Sequence, residues 1–262
     1  MNTPSSTIAS SSHGITNDVV FREIIGKLPA KGRVLDFGAG KGHMAQRLGN
    51  WFEEKGETPA AHVAACEVVP EIFQYDKITC VPMGYLSEIP FPDAEFDCVC
   101  AIEVMEHTLR PYDFLEEALR VLKPGGRIVF SVPNILHFQA RLKFLITGFP
   151  EMFGAPSVEP GNAGRICGHI MPLGFPYFVY GLRKAGFGNI GCLPDRLKLS
   201  ARIWSFCFWP LLRIGTHLYS KEQKRYDCEV WKETLDVIKK VNQAPILVSR
   251  SCIMVAEKPL RN

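Results

Sequence analysis

Short apolar runs alternate along the chain with longer segments in which apolar residues recur at helical spacing. The runs predict strands, and a period of three to four residues predicts amphipathic helices. The predicted strands cover residues 34–35, 62–66, 78–81, 96–102, 127–132, 189–193 and 246–256. The predicted helices cover residues 18–28, 41–48, 111–122, 135–146 and 175–185, with further helical character over 195–243. Strands that alternate with helices predict an α/β chain.

The first predicted strand runs into a glycine-rich turn, VLDFGAGKG, at Val34–Gly42. Gly38 and Gly40 lie where the strand turns into a helix, so a ligand can lie against bare backbone N–H groups at the positive end of that helix. The pattern is G-x-G-x-G preceded by Asp36, and it differs from the G-x-G-x-x-G of dinucleotide sites. An acid beside the turn suits an ammonium group better than a pyrophosphate. The turn resembles motif I of the class I S-adenosylmethionine (SAM)-dependent methyltransferases.

Further motifs follow this turn in order. The second predicted strand ends at Glu67, an acid placed to accept hydrogen bonds from ribose hydroxyls. Two longer strings follow, FPDAEFDCVCAIEVMEH at Phe91–His107 and LEEALRVLKPGGRIVFSVPN at Leu115–Asn134. Together the motifs span residues 33–134 and resemble the type 11 group of these methyltransferases.

This resemblance implies a fold, a cofactor and a set of cofactor contacts. The expected fold is a Rossmann-like, seven-stranded, doubly wound α/β sheet with helices on both faces and an antiparallel last strand. The expected cofactor is S-adenosyl-L-methionine, lying across the carboxyl ends of strands one, two and four. The implied cofactor residues are Gly38 and Gly40 at the methionine part, Asp36 at its ammonium group, Glu67 at the ribose and Val68 at the adenine face, and Phe37 is included among them.

One position departs from the family pattern. Relatives carry Gly-Asp where this chain has Gly84-Tyr85, so the carboxylate that commonly accepts the adenine amino group is missing. Backbone groups could replace that carboxylate, and Tyr85 could pack on the purine. Tyr85 is therefore included among the expected cofactor residues.

The string E-x-x-E-H, formed by Glu103, Glu106 and His107, follows the fourth predicted strand. It resembles ubiquinone-pathway O-methyltransferases and small-RNA 2′-O-methyltransferases, where these positions bind a divalent metal. Many type 11 methyltransferases carry a similar string without metal, with Glu103 facing the cofactor and His107 closing the pocket. We favour the metal-free interpretation. His169 is a further candidate, as a general base or as a fourth ligand.

Composition limits the class of protein and its location. The 262 residues are 47% hydrophobic and 22% charged, which indicates a globular chain with a large core. A net charge of +3 gives no strong electrostatic case for nucleic acid. The nine cysteines form no C-x-x-C pair and are expected to be reduced thiols in the cytoplasm. The apolar stretch 203–212 is about half the ~20 residues of a spanning helix.

The expected organisation is a disordered tail over residues 1–16 and a single domain over 17–262 with two insertions. The first insertion, at about 148–174, is rich in Gly and Pro, and long loops of this kind tend to be lids or binding segments. The second, at about 195–243, concentrates aromatic residues such as Trp204 and Trp209 among arginines and lysines. These aromatics either pack in the core, or form a wall for a lipid-linked acceptor or an interfacial helix.

The predicted function is SN2 transfer of the SAM methyl group to a small-molecule, glycan or lipid-linked acceptor, with His107 and His169 as candidate catalytic residues. One alternative is a SAM-binding partner subunit that no longer catalyses, and another is a metal-assisted O-methyltransferase. A nicotinamide dehydrogenase is disfavoured by the glycine spacing. The expected location is the cytoplasm, with peripheral contact to a membrane as a second interpretation. The acceptor and the oligomeric state are not predicted.

Overall fold

The computed structural model describes residues 7–84, 88–158, 168–196 and 199–260. The chain divides into two compact units. The first unit comprises residues 1–132, 182–191 and 253–262, and the second comprises residues 133–181 and 192–252.

A seven-stranded sheet forms the framework. Its strands are β1 (Val34–Phe37), β2 (Val63–Glu67), β3 (Cys80–Pro82), β4 (Phe96–Ile102), β5 (Leu122–Pro133), β6 (Gly188–Pro194) and β7 (Ser251–Glu257). The order across the sheet is β3-β2-β1-β4-β5-β7-β6, with β1 to β5 pairing in parallel and the last strands antiparallel. The sheet winds outward in both directions from β1, so the expected Rossmann-like class is confirmed.

Ten α-helices are present among the described residues. They are α1 (Gly14–Ile25), α2 (His43–Glu53), α3 (Pro59–His62), α4 (Pro111–Val121), α5 (Phe138–Thr147), α6 (Phe175–Ala185), α7 (Leu199–Cys207), α8 (Trp209–Tyr226), α9 (Cys228–Lys240) and α10 (Ala244–Val248). Two 3₁₀ helices, Pro70–Ile72 and Met105–His107, follow β2 and β4. The first unit contains α1 to α4, and the second contains α5 and α7 to α10.

The core of the first unit follows from the apolar pattern. β4 is buried over most of its length, as expected of a central parallel strand with helices on both faces. In α4, Pro111 occupies the first turn, while Phe114, Leu115 and Ala118 face inward and are fully buried. Each such large apolar side chain contributes about 1.5–3 kcal/mol on burial. This packing holds the carboxyl end of β4 in place.

Two local predictions differ from the structure. Residues 124–126, which precede the predicted strand 127–132, lie within β5, because Gly125 N–H donates to Lys258 O (2.9 Å) and Lys258 N–H donates to Gly126 O (2.8 Å). Residues 246–248, predicted as the start of the last strand, form part of α10. In both cases tertiary contacts override the local pattern.

Residues 7–16, which the sequence analysis assigned to a disordered tail, include the start of a helix and contacts to α2. Helix α1 begins at Gly14, and Ile8 is buried, with its N–H donating to Gln46 Oε1 at 2.8 Å. The Ile8 carbonyl also lies 2.6 Å from His43 Nδ1 on α2. These bonds hold the segment before α1 against α2.

Helices of the second unit are joined by buried polar side chains. The Asn134 amide donates to the carbonyls of Ile246 (2.6 Å) and Ser249 (2.8 Å). The Arg141 guanidinium donates to the Leu136 carbonyl at 2.6 Å, to the Val241 carbonyl at 2.7 Å and to the Asn242 side chain. These hydrogen bonds replace the ones that the carbonyls would otherwise make with water. The predicted loop at 148–174 contains no α-helix and no strand in its described parts, 148–158 and 168–174.

Candidate active site

A cavity of about 280 Å³ opens at the carboxyl ends of β1, β2 and β4 in the first unit. In an open, doubly wound sheet this edge is where ligands bind. Six of the predicted site residues line it, namely Phe37, Gly38, Glu67, Val68, Glu103 and His107. The sequence analysis missed four further lining side chains, those of Met83, Val104, Thr108 and Phe114. Their only sequence signal is that each lies just after a strand or on the helix that follows.

The turn between β1 and α2 is built on three glycines in left-handed conformations, Gly38 (φ 65°), Gly40 (φ 53°) and Gly42 (φ 89°). The N–H of Gly38 donates to the carbonyl of Cys66 at 3.0 Å, which holds the turn against the end of β2. A Cβ on Gly38 would lie 2.7 Å from a methyl carbon of Val104, too close for the two atoms to coexist. The sequence analysis assigned this glycine to the ligand's approach, which stays a prediction. The structure shows that the position needs glycine for packing on Val104.

Asp36 does not line the cavity. Its side chain is only 3% exposed, and its Oδ2 accepts the N–H of Ala45 at 3.0 Å, inside the first turn of α2. Burial raises the pKa of Asp36 to about 7, an effect that the Ala45 hydrogen bond partly offsets. The described contacts give this carboxyl a role in holding α2 at the end of β1. Its orientation of a ligand ammonium group stays a prediction.

Glu67 closes β2 and faces the turn. The N–H of Gly40 donates to Glu67 Oε2 at 2.7 Å, and the N–H of Val68 donates to Oε1 at 2.7 Å. The carboxylate is thereby held at the cavity wall, where it can still accept from a ligand through its remaining lone pairs. Gly40 itself is not among the residues that line the cavity. It is connected to the cavity wall by this hydrogen bond to Glu67.

Glu103 and Glu106 form a carboxyl pair after β4. Glu103 adopts a left-handed conformation (φ 54°), its N–H donates to the carbonyl of Ser131 at 3.0 Å, and its Oε1 accepts the Ser131 hydroxyl at 3.1 Å. Glu106 is 1% exposed. Burial, and then the neighbouring Glu103 charge, raise the pKa of Glu106 well above its usual range. A carboxyl pair of this kind can keep a proton close to the cavity.

The remaining predicted residues are His107, His169 and Tyr85. His107 is exposed on the second 3₁₀ helix and lines the cavity. His169 belongs to the second unit, where its Nδ1 lies 3.0 Å from the Met152 carbonyl and its ring lies 5.4 Å from that of Phe153. Tyr85 lies outside the described residues. The roles of the two histidines and of Tyr85 stay predictions.

Comparison with known proteins agrees with this architecture. A family model described as a methyltransferase domain matches residues 18–155. A Mycolicibacterium smegmatis protein named as a probable S-adenosylmethionine-dependent methyltransferase is 30% identical over 127 residues, 47% of this chain and 46% of the relative. The ubiquinone biosynthesis O-methyltransferase of Xylella fastidiosa is 30% identical over 114 residues, 39% of this chain and 42% of the relative. The chain thus spans about half the length of the curated relatives it matches.

Two solved structures share the fold. A SAM-dependent methyltransferase from Archaeoglobus fulgidus has a TM-score of 0.53 at 16% identity, covering 92% of this chain and 94% of that one. Phosphoethanolamine N-methyltransferase 2 of Haemonchus contortus, solved with S-adenosyl-L-methionine, has a TM-score of 0.53 at 18% identity, covering 97% of this chain and 54% of that one. At these identities the likeness concerns the fold alone.

Proposed function

Since the chain belongs to the class I SAM-dependent methyltransferases, within the type 11 group, we propose that it transfers the methyl group of S-adenosyl-L-methionine to an acceptor. The observation that carries this proposal is the cavity beside the glycine turn, with Glu67 held at its wall by two backbone N–H groups. S-adenosyl-L-methionine is the family's cofactor, and its sulfonium supplies an electrophilic methyl group.

The chain's own residues would bind and orient this cofactor. Glu67 accepts the ribose hydroxyls, Phe37 and Gly38 contact the methionine part, and Val68 lies against the adenine. Methyl transfer by SN2 displacement needs chiefly alignment of acceptor, carbon and sulfur, because a bound near-attack geometry removes much of the entropic barrier. Asp36 accepts the N–H of Ala45 and so holds the first turn of α2 behind the glycine turn. Its role is to position this helix.

An acceptor that must lose a proton needs a base near the cavity. The Glu103 carboxylate lines the cavity, and burial raises the pKa of the neighbouring Glu106 carboxyl well above its usual range, so this group can share a proton with Glu103. His107 lies at the same wall and is a second candidate base. His169 stays a third candidate, from the second unit.

Treatment with a chelator distinguishes metal-assisted from metal-free methyl transfer. We expect methyl transfer to survive treatment with a divalent-metal chelator, because the favoured role of Glu103 is to face the cofactor. Complete loss of turnover, with recovery on adding Mg²⁺ or Zn²⁺, would show instead that Glu103, Glu106 and His107 bind a cation.

We propose that the acceptor is a small molecule or a glycan or lipid-linked molecule, met by the insertions at 148–174 and 195–243. Both insertions belong to the second unit, and the second one exposes several aromatic side chains, including Trp204, Phe206 and Trp209. Aromatic and apolar walls are typical of pockets for amphipathic acceptors. Such an acceptor fits an enzyme that works in the cytoplasm or at the cytoplasmic face of a membrane.

A binding measurement joined to product detection tests the function. Titration calorimetry with SAM and with NADH is expected to show binding of SAM alone. Incubation of cell extract with methyl-labelled SAM is then expected to give S-adenosylhomocysteine and a labelled product that mass spectrometry identifies. SAM binding without S-adenosylhomocysteine in a broad acceptor screen would favour the partner subunit that no longer catalyses. Absence of SAM binding would refute the proposal.

A further inference from the structure

Three helices of the second unit expose large apolar side chains to solvent. In α5, Leu145 is 81% exposed and Ile146 is 74% exposed. In α7, Phe206 is 82% exposed, and in α8, Trp209 and Leu211 are 53% and 62% exposed. Single exposed apolar residues are ordinary, but a concentration of them on neighbouring helices marks an interaction surface.

The helices that carry these exposed residues pack against one another. The ring of Phe138, at the start of α5, lies 5.3 Å from that of Phe208, which lies 6.1 Å from that of Trp204 on α7. Helix α8 begins at the residue after Phe208. We call this surface the apolar helical face, and its main residues are Leu145, Ile146, Trp204, Phe206, Trp209 and Leu211.

The helices that carry this face are rich in positive charge. The helices α5, α7 and α8 together carry seven lysines and arginines against one acid, Glu222. Apart from the partly buried Arg141, these cations are exposed, and they are Lys143, Arg202, Arg213, Lys221, Lys224 and Arg225. The Arg213 guanidinium lies over the Trp209 ring, 4.8 Å from its centroid, so a cation and an aromatic ring share one place on the surface. The neighbouring helix α9 has equal numbers of acids and bases and does not cancel this charge.

The charge and the apolar side chains of this face indicate which kind of partner binds to it. A second copy of the same face would bring like charges together, which is unfavourable at an interface. Among the described residues, no helix is long and apolar enough to cross a membrane. A helix that shows aromatic and aliphatic side chains beside lysine and arginine is suited to lie in the boundary between lipid headgroups and acyl chains. Anionic headgroups then meet the cations, and the apolar side chains leave water.

We propose that the apolar helical face docks on the surface of a bilayer that contains anionic phospholipid. This inference goes beyond methyl transfer, because all of its residues belong to the second unit and the SAM cavity belongs to the first. A protein docked in this way draws its acceptor from the membrane surface, which deepens the acceptor proposal above. The docking surface and the methyl transfer can be tested apart on the same sample.

Vesicle binding tests the proposal. The whole chain is mixed with phosphatidylcholine vesicles, with and without phosphatidylglycerol, and binding is followed by sedimentation and by a blue shift of tryptophan emission. We expect binding to the anionic vesicles, at least about tenfold weaker binding to the neutral ones, and loss of binding as salt rises. Equal binding to both vesicle types, or none to either, would overturn the proposal.

Variants locate the surface. The double variant Ile146→Gln with Phe206→Gln is expected to lose at least about tenfold of the vesicle affinity. Leu260→Gln is the matched control, because Leu260 is 76% exposed but belongs to the first unit. SAM affinity is measured on each sample as a control. A variant that binds SAM normally but no longer binds vesicles has an intact fold and has lost only the docking surface. A dimer in analytical ultracentrifugation that the double variant dissolves, without vesicle binding by the unmodified chain, would assign the face to a second copy and overturn the proposal.

Discussion

At the scale of single residues, Glu67 shows how the backbone prepares the site. Two N–H groups, those of Gly40 and Val68, already hold its carboxylate at the cavity wall. A group that is held before the ligand arrives loses little freedom on binding. The proposed hydrogen bonds of Glu67 to ribose hydroxyls are therefore expected to contribute to affinity with little ordering cost.

Replacing Glu67 by alanine is expected to weaken SAM binding by about 10- to 100-fold, since a hydrogen bond to a charged group contributes about 1.5–3 kcal/mol. Titration calorimetry measures this change. Glu71→Ala is the matched control, because Glu71 is an exposed acid in the 3₁₀ helix that follows β2. Equal affinity in the Glu67→Ala protein and the control would contradict the proposed ribose contact.

The buried Asp36 carboxyl predicts a pH dependence of stability. The pKa of Asp36 is raised from 3.8 to about 7 in the folded chain, so folding favours the protonated carboxyl. Its contribution to the free energy of unfolding is therefore fully present below about pH 4 and is lost as pH rises through about 7. The loss is of the order of 4 kcal/mol, at about 1.4 kcal/mol per unit of pKa. Asn at this position keeps the size and the acceptor oxygen but does not ionise.

Urea unfolding of the unmodified chain and of Asp36→Asn at about pH 5 and pH 8 measures this contribution. We expect the free energy of unfolding to fall less steeply with pH in the variant. Parallel pH profiles for the two proteins would show that Asp36 does not carry the raised pKa.

At the scale of elements, the turn from β1 into α2 depends on the end of β4. Gly38 has a positive φ, and Val104 fills the space where a Cβ would lie. The first turn of α2 is in turn held by Asp36 through Ala45. The turn, the helix and β4 therefore form one packed arrangement at the cavity, and a change in one of them reaches the others.

Gly38→Val is expected to destabilise the ligand-free chain by about 1–3 kcal/mol, from overpacking on Val104 and the positive φ, and to abolish SAM binding. Adding Val104→Ala opens space for the new side chain and is expected to restore part of the stability but little of the affinity. Thermal unfolding and calorimetry on the single and double variants measure both effects. A single variant with normal stability and normal affinity would refute this placement of the turn.

At the scale of the whole molecule, the cavity beside the glycine turn and the helical insertion belong to different compact units. The first unit contains the cavity and the motifs that resemble the methyltransferase family. The second contains the Gly- and Pro-containing loop, helices α7 to α9 and the apolar helical face. This division favours separate contributions of the two units to cofactor and acceptor binding.

Deleting residues 199–240, with a short Gly/Ser linker in their place, is expected to leave SAM affinity unchanged and to remove methyl transfer. None of the described residues of this segment lines the cofactor cavity, whereas the proposed acceptor contacts lie in it. Affinity, turnover and thermal stability are measured on the same truncated sample. Normal turnover with reduced stability would show that the insertion only packs on the fold.

The local sequence was sufficient to predict those elements whose determining residues are neighbours in the chain. The glycine turn, β4 and α6 lie where the pattern predicts them, and helix α4 begins at Pro111 as expected. Glycine conformations, apolar periods and helix caps act over a few residues, so they can be recognised without knowing the fold. The order of the motifs was enough to predict the family, the sheet and the cofactor.

Other features depended on residues distant in the chain. Residues 124–126 are strand because Lys258 pairs with them, and Asp36 is buried because α2 and Cys100 cover it. Val104 and Phe114 reach the cavity because β4 and α4 pack beside β1, where the Phe114 ring lies 4.4 Å from that of Phe37. The sequence by itself determined the class of fold, the cofactor and the glycine turn after the first strand. Tertiary structure decided which side chains line the cavity and which are buried, because burial and pairing depend on contacts that no local pattern contains.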